Sequence, residues 1–226
     1  MPPQCKLRLI RMVVALLVGA AAISVRAQAD ETPLFRDLRY NSPISQFTKS
    51  RGYYDCSADL GYAARCVDKV KFLGHVFDTQ ILMFVDARLR SVQLITEFKP
   101  EIYSELLKAL MKDFSLVILQ NGERRLDLIE LARKEGESKL GPRVAEFESV
   151  SLNKGDLTYV FIEQPGSALR SYPNGFDAIT RSPLTTREAD VVVKEQGQEA
   201  WLGVTFSLPR RAMADIRKTP GSREKF

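Results

Sequence analysis

The stretch YYDCSADLGYAARCVDKVKFLGHVFDTQILMFVDARLRSVQLITEF, residues 53–98, decides the fold. Its second half has two runs of alternating apolar and polar side chains on either side of a short link, Asp86-Ala87-Arg88, which is the pattern of a β-hairpin. Toward the end of the first run both faces turn apolar, so we expect that strand to lie inside a sheet covered on both sides. Ala64–Phe72 is predicted to form a further strand before Gly74.

The first 29 residues have the pattern of a secretory signal peptide. A basic segment precedes the apolar run 12–24, and Ala27-Gln28-Ala29 supplies the small residues that a signal peptidase recognises. We expect cleavage before Asp30 and a location in the periplasm of a bacterium. The alternative is an uncleaved membrane anchor, but the apolar run is shorter than the ~20 residues of a spanning helix.

Export changes the charge of the chain. Four of the 33 basic residues and no acidic residue lie in 1–29, which leaves 29 basic against 28 acidic residues. A net charge of about +1 argues against nucleic-acid binding, which needs a basic face. The basic residues that remain at the end of the chain predict a flexible basic tail over 209–226, and contact with anionic lipid or an acidic partner is the alternative.

Cys56 and Cys66 are the two cysteines that follow the leader. In an oxidising compartment we expect them to form a disulfide bond. Their spacing, CSADLGYAARC, differs from the C-x-x-C of redox and zinc sites. The bond would close a loop of about ten residues, which loop-closure entropy values at roughly 3 kcal/mol.

The fold class that these patterns predict is α+β: hairpins of an antiparallel sheet with two main helices packed on it and one disulfide. We expect a single domain over 30–208, with two sub-lobes over 30–115 and 116–208 as the alternative. The remaining predicted elements are a helix from Pro100 to Phe114, a strand over 115–120, a helix over 124–139 ended by Gly141-Pro142, a hairpin of 144–152 with 157–162, and a hairpin of 189–195 with 200–208.

No catalytic constellation is recognisable in the sequence. The one histidine, His75, follows a turn glycine, no serine lies in G-x-S-x-G, and the phosphate-binding glycine loops are absent. We therefore expect no catalytic residue, no metal site and no cofactor. An enzyme with two carboxylates across a cleft stays open as an alternative, and its mark would be a raised pKa on one of them.

The longest stretch without a regular pattern is 164–186, which contains three prolines and two glycines. Loops of this length in compact domains are usually functional or mobile. Tyr172 and Phe176 are the candidate partner-binding residues, because aromatic side chains are favoured anchors at protein interfaces. The alternative is a surface loop whose aromatic side chains fold back onto the body.

Four segments carry a resemblance to small exported bacterial α+β proteins. They are FRDLRYNSPISQF, the cysteine pair, FVDARLRSV and EIYSELLKALMKDF, which together span roughly residues 34–115. Ala87 and Asp37 stand where the pattern usually has glycine. The whole precursor also resembles the periplasmic immunity proteins made beside type VI secretion effectors, in particular those that guard against phospholipase effectors.

The resemblance implies a non-enzymatic protein that binds a secreted toxic effector in the periplasm and blocks its active site. It transfers no site residues, since no motif of the immunity proteins can be matched here. The alternative function is an envelope-assembly or ligand-binding module of the periplasm. Neither function implies nucleic-acid binding or stable insertion into a membrane.

Overall fold

A computed structural model describes residues 32–122 and 124–218, without the side chains of 196 and 216–218. The predicted signal peptide, 1–29, and the last eight residues of the predicted tail lie outside the described residues.

Within the described ranges the chain forms one large antiparallel sheet with helices on both faces. The strands are β1 Pro33–Phe35, β2 Leu38–Arg39, β3 Tyr54–Asp55, β4 Ala64–Phe72, β5 His75–Val85, β6 Arg88–Glu97, β7 Ser115–Gln120, β8 Arg125–Asp127, β9 Asp156–Ile162, β10 Glu188–Gln196 and β11 Glu199–Ser207. The α-helices are α1 Ser57–Leu60, α2 Pro100–Asp113, α3 Leu128–Glu135, α4 Leu140–Leu152, α5 Gly166–Leu169, α6 Gly175–Arg181 and α7 Pro209–Lys218. Short 3-10 turns lie at Ile44–Gln46, Lys49–Arg51 and Glu137–Lys139.

The order of the nine-stranded sheet is β3-β4-β5-β6-β11-β10-β9-β7-β8, and β1 pairs only with β2. Two three-stranded meanders meet where β6 pairs with β11, and each is followed by a helix that begins with proline, α2 or α7. In the first meander two residues, 73–74, join β4 to β5. At the matching position of the second meander, the far longer segment 163–187 joins β9 to β10.

The main core lies between one face of the sheet and the two longest helices, α2 and α4. Ile102, Leu106 and Leu110 form the buried stripe of α2, and Phe147 is the largest buried side chain of α4. The buried Tyr159 of β9 joins both helices, since its hydroxyl contacts the Tyr103 hydroxyl and donates to Glu148 at 2.7 Å. Burial raises the pKa of Tyr159 far above its ordinary value.

The opposite face of the sheet is covered at its two ends by smaller clusters. At the β3–β4 end, Cys56 and Cys66 pack with Ala64 and Ile81. At the other end, α5 and α6 cover β7 and β9 around Val117, Ile118, Val160, Ile162, Leu169 and Ala178. On the same face between them, β10 carries Glu188 and Asp190.

The α+β class, the antiparallel sheet and the Cys56–Cys66 disulfide, with Cα atoms 5.9 Å apart, are confirmed. The residues 144–152 predicted as a strand instead belong to α4. Leu140, Val144, Phe147 and Ser151 recur at helical spacing on its buried side, and Pro142 lies in its first turn, where proline is tolerated.

Two further predictions need correction. Over 124–139 the helix occupies only Leu128–Glu135, after the edge strand β8. The flexible tail predicted from residue 209 is wrong for Pro209–Lys218, which form α7. Asp215 fixes this helix to the body, because its carboxylate accepts from Arg90 at 2.7 Å and from the Tyr40 hydroxyl at 3.0 Å.

Candidate functional site

A cleft of about 590 Å³ opens beside the start of β7, between α3 and α5. The short edge strand β8 pairs only with Ile118–Gln120, so α3 and α5 instead flank the first residues of β7. The apolar side chains of the lining are all aliphatic and come from four elements: Leu116, Leu128, Ile129, Ala132, Leu140 and Leu169. Ser115, Gly166 and Ser167 also line the cleft. Its volume lies within the range of ~300–1,000 Å³ that is usual for small-molecule pockets.

Helix α3 forms the wall of the cleft because Asp127 starts it. The Asp127 carboxylate accepts from the backbone N–H groups of Ile129 at 3.1 Å and Glu130 at 3.0 Å, which satisfies two donors at the helix start. Lys134 pairs with Glu130 one turn away, and the helix ends before Gly136, whose φ is +93°. Leu128 and Leu131 then face the main core while Ile129 faces the cluster under α5 and α6.

The segment 164–186 forms the other wall, and its two ends are tied together. Glu163 and Arg187 form a two-pronged ion pair at 2.5 and 2.7 Å. The buried Gln164 side chain donates to the Thr186 hydroxyl at 3.4 Å. The Ser115 hydroxyl of β7 donates to the Gln164 carbonyl oxygen at 2.7 Å, so the segment begins directly at the cleft.

The middle of the segment is docked on α3 and β7. Arg133 of α3 donates to the Tyr172 carbonyl oxygen at 3.2 Å. Asp127 accepts from the backbone N–H of Gly175 at 2.8 Å, and Asn174 caps α6 by accepting from the Asp177 N–H at 2.8 Å. The segment is thus a pair of short helices packed on the sheet rather than the irregular loop that the sequence suggests.

The mouth of the cleft is charged, in contrast to its lining. Arg133, Glu137 and Arg170 stand around it, and Arg170 pairs with Glu137 at 3.2 Å across the opening. Both partners of this pair are largely exposed. An exposed ion pair contributes only ~0–1 kcal/mol, so a competing anion can displace Glu137 from Arg170 at little cost.

The two predicted partner-binding residues have different surroundings. Tyr172 is half-buried and packs against the cluster under α5 and α6. Phe176 projects from the start of α6, with 57% of its surface exposed. Of the two, Phe176 is therefore the side chain that another molecule can contact, and it lies on the same segment as the cleft wall.

A pair of carboxyl groups that the sequence analysis missed lies on β10. Glu188 and Asp190 are two residues apart on one sheet face, and the Ser207 hydroxyl donates to Glu188 at 3.4 Å. Asp190 Oδ1 is screened from solvent and has no hydrogen-bond donor in the described part of the chain. Burial raises the pKa of Asp190 to about 7; burial and the Asp190 charge raise the pKa of Glu188 to about 8.

The sequence EADVVVKE, residues 188–195, contains the signal for this pair. Glu188 and Asp190 alternate with apolar residues in a valine-rich strand, a pattern that places both acids on one face of the sheet. His75 and two acidic residues near the disulfide, Asp55 and Asp68, are in ordinary surface contacts. His75 contacts Glu105 at 2.8 Å, Asp55 pairs with Arg65 at 2.7 Å, and Asp68 accepts from Tyr54 at 2.9 Å. Over 32–122 and 124–218, no three histidine, cysteine or acidic side chains are grouped as a metal site would require.

None of the helices in those same ranges combines the length and the apolar character needed to cross a bilayer. Comparison of the chain with protein-family models, with curated proteins and with solved structures finds no match. The site therefore has to be interpreted from its own geometry.

Proposed function

We propose that the protein is an exported, non-catalytic immunity protein that binds and occludes a toxic effector of a type VI secretion system, a phospholipase effector in the first instance. The observation that carries this proposal is Phe176, a large exposed aromatic side chain on a segment that is otherwise fixed to the body. Interfaces are commonly anchored by aromatic side chains that enter a pocket of the partner.

Rigid presentation favours tight binding. The backbone around Phe176 is held by Asp127, by the Asn174 cap and, through Tyr172, by Arg133. A side chain whose backbone is ordered before association loses less conformational entropy on binding. We propose that the protein is non-catalytic because Asp190, a carboxyl group with a raised pKa, is buried. Its Oδ1 atom has no hydrogen-bond partner in the described residues and is shielded from solvent, so a substrate cannot reach it.

The test is co-expression of the candidate effector in the periplasm with and without this protein. We expect the protein to prevent killing and Phe176→Ala to weaken protection and to raise the dissociation constant at least tenfold. Met111→Ala is the matched control, because Met111 is an equally exposed apolar side chain (58%) on α2. Undiminished killing in the presence of the wild-type protein contradicts the proposal.

The second candidate function is a ligand-binding module of the periplasm, and the cleft is the observation that favours it. A concave, aliphatic pocket with a few charged groups at its mouth is the usual form of a small-molecule site. This function predicts an envelope defect on deletion of the gene even in cells that meet no toxin. Loss of protection without such a defect distinguishes the immunity function from it.

A further inference from the structure

We propose that the cleft between α3 and α5 binds a single-chain anionic amphiphile: an unbranched hydrocarbon chain that ends in a carboxylate or a phosphate. The inference rests on the second candidate function and names its ligand. It does not require an effector, so it can fail while the immunity function holds.

The lining specifies the chain. All six apolar residues that line the cleft are aliphatic, and none offers a hydrogen bond to a ligand. Of the two serines in the lining, Ser115 of β7 already donates to the Gln164 carbonyl oxygen, and Ser167 of α5 is exposed to solvent. A ligand group with its own donors or acceptors would lose its water there without replacement, which is costly. A hydrocarbon chain loses nothing and gains about fourfold in affinity for each buried methylene group.

The mouth specifies the head group. Arg133 and Arg170 outnumber Glu137. Among the described residues, the Glu137 carboxylate pairs only with Arg170, and this pair is exposed. Arg133 uses one nitrogen on the Tyr172 carbonyl oxygen, and a guanidinium carries five N–H donors. An anionic head group can therefore displace Glu137 from Arg170 and accept from Arg133, as arginine is well suited to carboxylate and phosphate. A cationic head would meet two like charges.

The experiment is calorimetric titration of the purified full-length exported chain with octanoate, decanoate and dodecanoate below their micelle concentrations. We expect affinity to rise severalfold per added methylene until the cleft is full. Dodecyl phosphate should bind comparably, and dodecyltrimethylammonium at least tenfold more weakly. Equal affinity for the cationic and anionic dodecyl compounds, or no dependence on chain length, overturns the proposal.

Two sets of variants locate the site. Ala132→Trp fills the cleft and should abolish dodecanoate binding, whereas Ala145→Trp, on an exposed position of α4, should leave it unchanged. Arg133→Glu combined with Arg170→Glu alters only exposed side chains and should weaken dodecanoate at least tenfold. Lys49→Glu combined with Lys108→Glu, also at exposed positions, is the charge-matched control. Thermal unfolding verifies that each variant is folded. Retained binding in the double arginine variant overturns the proposal even if Ala132→Trp does not fold.

Discussion

Asp127 accepts a hydrogen bond from the backbone N–H of Gly175 at 2.8 Å, across 48 residues of chain. Its other carboxylate oxygen caps α3, so one side chain fixes the starts of both α3 and α6. This shared acceptor holds the segment 164–186 against the edge of the sheet and sets the position of Phe176 relative to the cleft.

Replacing Asp127 with alanine should destabilise the protein by about 2–3 kcal/mol, because a helix cap and a second acceptor of a partly buried N–H are both lost. Urea unfolding measures the loss, and limited proteolysis should cut 164–186 first. Asp127→Asn is the matched control: it keeps one acceptor oxygen, so its loss should be intermediate. A variant as stable as the wild type would show that the shared acceptor contributes nothing.

Gly175 is predicted to tolerate no side chain. A Cβ atom there would lie 2.7 Å from Cγ1 of Ile118 and 3.1 Å from the Val117 carbonyl oxygen, because α6 rests directly on β7. We expect Gly175→Ala to cost about 1–3 kcal/mol through overpacking. Gly141→Ala in α4 is the contrasting variant, since nothing lies within 4 Å of its Cβ position, and it should stabilise the helix by about 0.5–1 kcal/mol. Thermal unfolding of both variants checks the difference in sign.

The sequence predicts the frame of the fold because local patterns determine it. The hairpin of β5 and β6 follows from the alternation of apolar and polar residues in its two runs. The link between them is a two-residue turn, in which Asp86 and Ala87 take the positive φ angles of 52° and 56° that such a turn requires. The charged segment 124–139 likewise predicts a helix, although the Asp127 cap makes it begin at Leu128 rather than at residue 124. The sequence does not predict that Asp127 also accepts from the Gly175 N–H, because Gly175 is distant along the chain.

Two sequence predictions, the strand over 144–152 and the loop over 164–186, are wrong because contacts between distant parts of the chain outweigh local preference. In 144–152 the β-branched Val144 and Val150 favour a strand locally, but burial of Phe147 and Ser151 one turn apart favours a helix. In 164–186 the prolines and glycines predict a loop, yet four- and seven-residue helices form because the sheet face beneath them is apolar. The residue type of Phe176 predicts a contact residue, whereas the cleft depends on packing between elements that are distant along the chain.

The buried carboxyl pair predicts a specific pH dependence of stability. Glu188 and Asp190 have folded-state pKa values of about 8 and about 7, well above the 4.5 and 3.8 of the free groups. At a pH between the unfolded-state and the folded-state pKa values, the folded protein keeps protons on these two carboxyl groups that the unfolded chain has released. The contribution of this pair to stability should therefore be complete below about pH 4 and should be lost as pH rises to about 8, by up to ~1.4 kcal/mol per pH unit for each proton involved.

Urea unfolding between pH 5 and pH 8.5 measures this slope. The double variant Glu188→Gln with Asp190→Asn cannot ionise at these positions, so its stability should vary less with pH over the same range. Glu146→Gln, at an exposed position of α4, is the control and should retain the wild-type slope. A wild-type stability that rises with pH from 5 to 8 would show that the pair is ionised in the folded protein.

The disulfide should stabilise the sheet end that lies farthest from the cleft. Cys56 and Cys66 are ten positions apart in the sequence, and closing a loop of this length is expected to stabilise the folded state by about 3 kcal/mol through loop-closure entropy. Because β3 and β4 lie at one end of the sheet and β7 and β8 at the other, replacing both cysteines with alanine should lower stability without altering dodecanoate affinity. Unfolding in the presence of reductant should reproduce the loss in the wild type and leave the double variant unchanged. A loss of dodecanoate binding in the still-folded double variant would instead show that the two ends of the sheet are coupled.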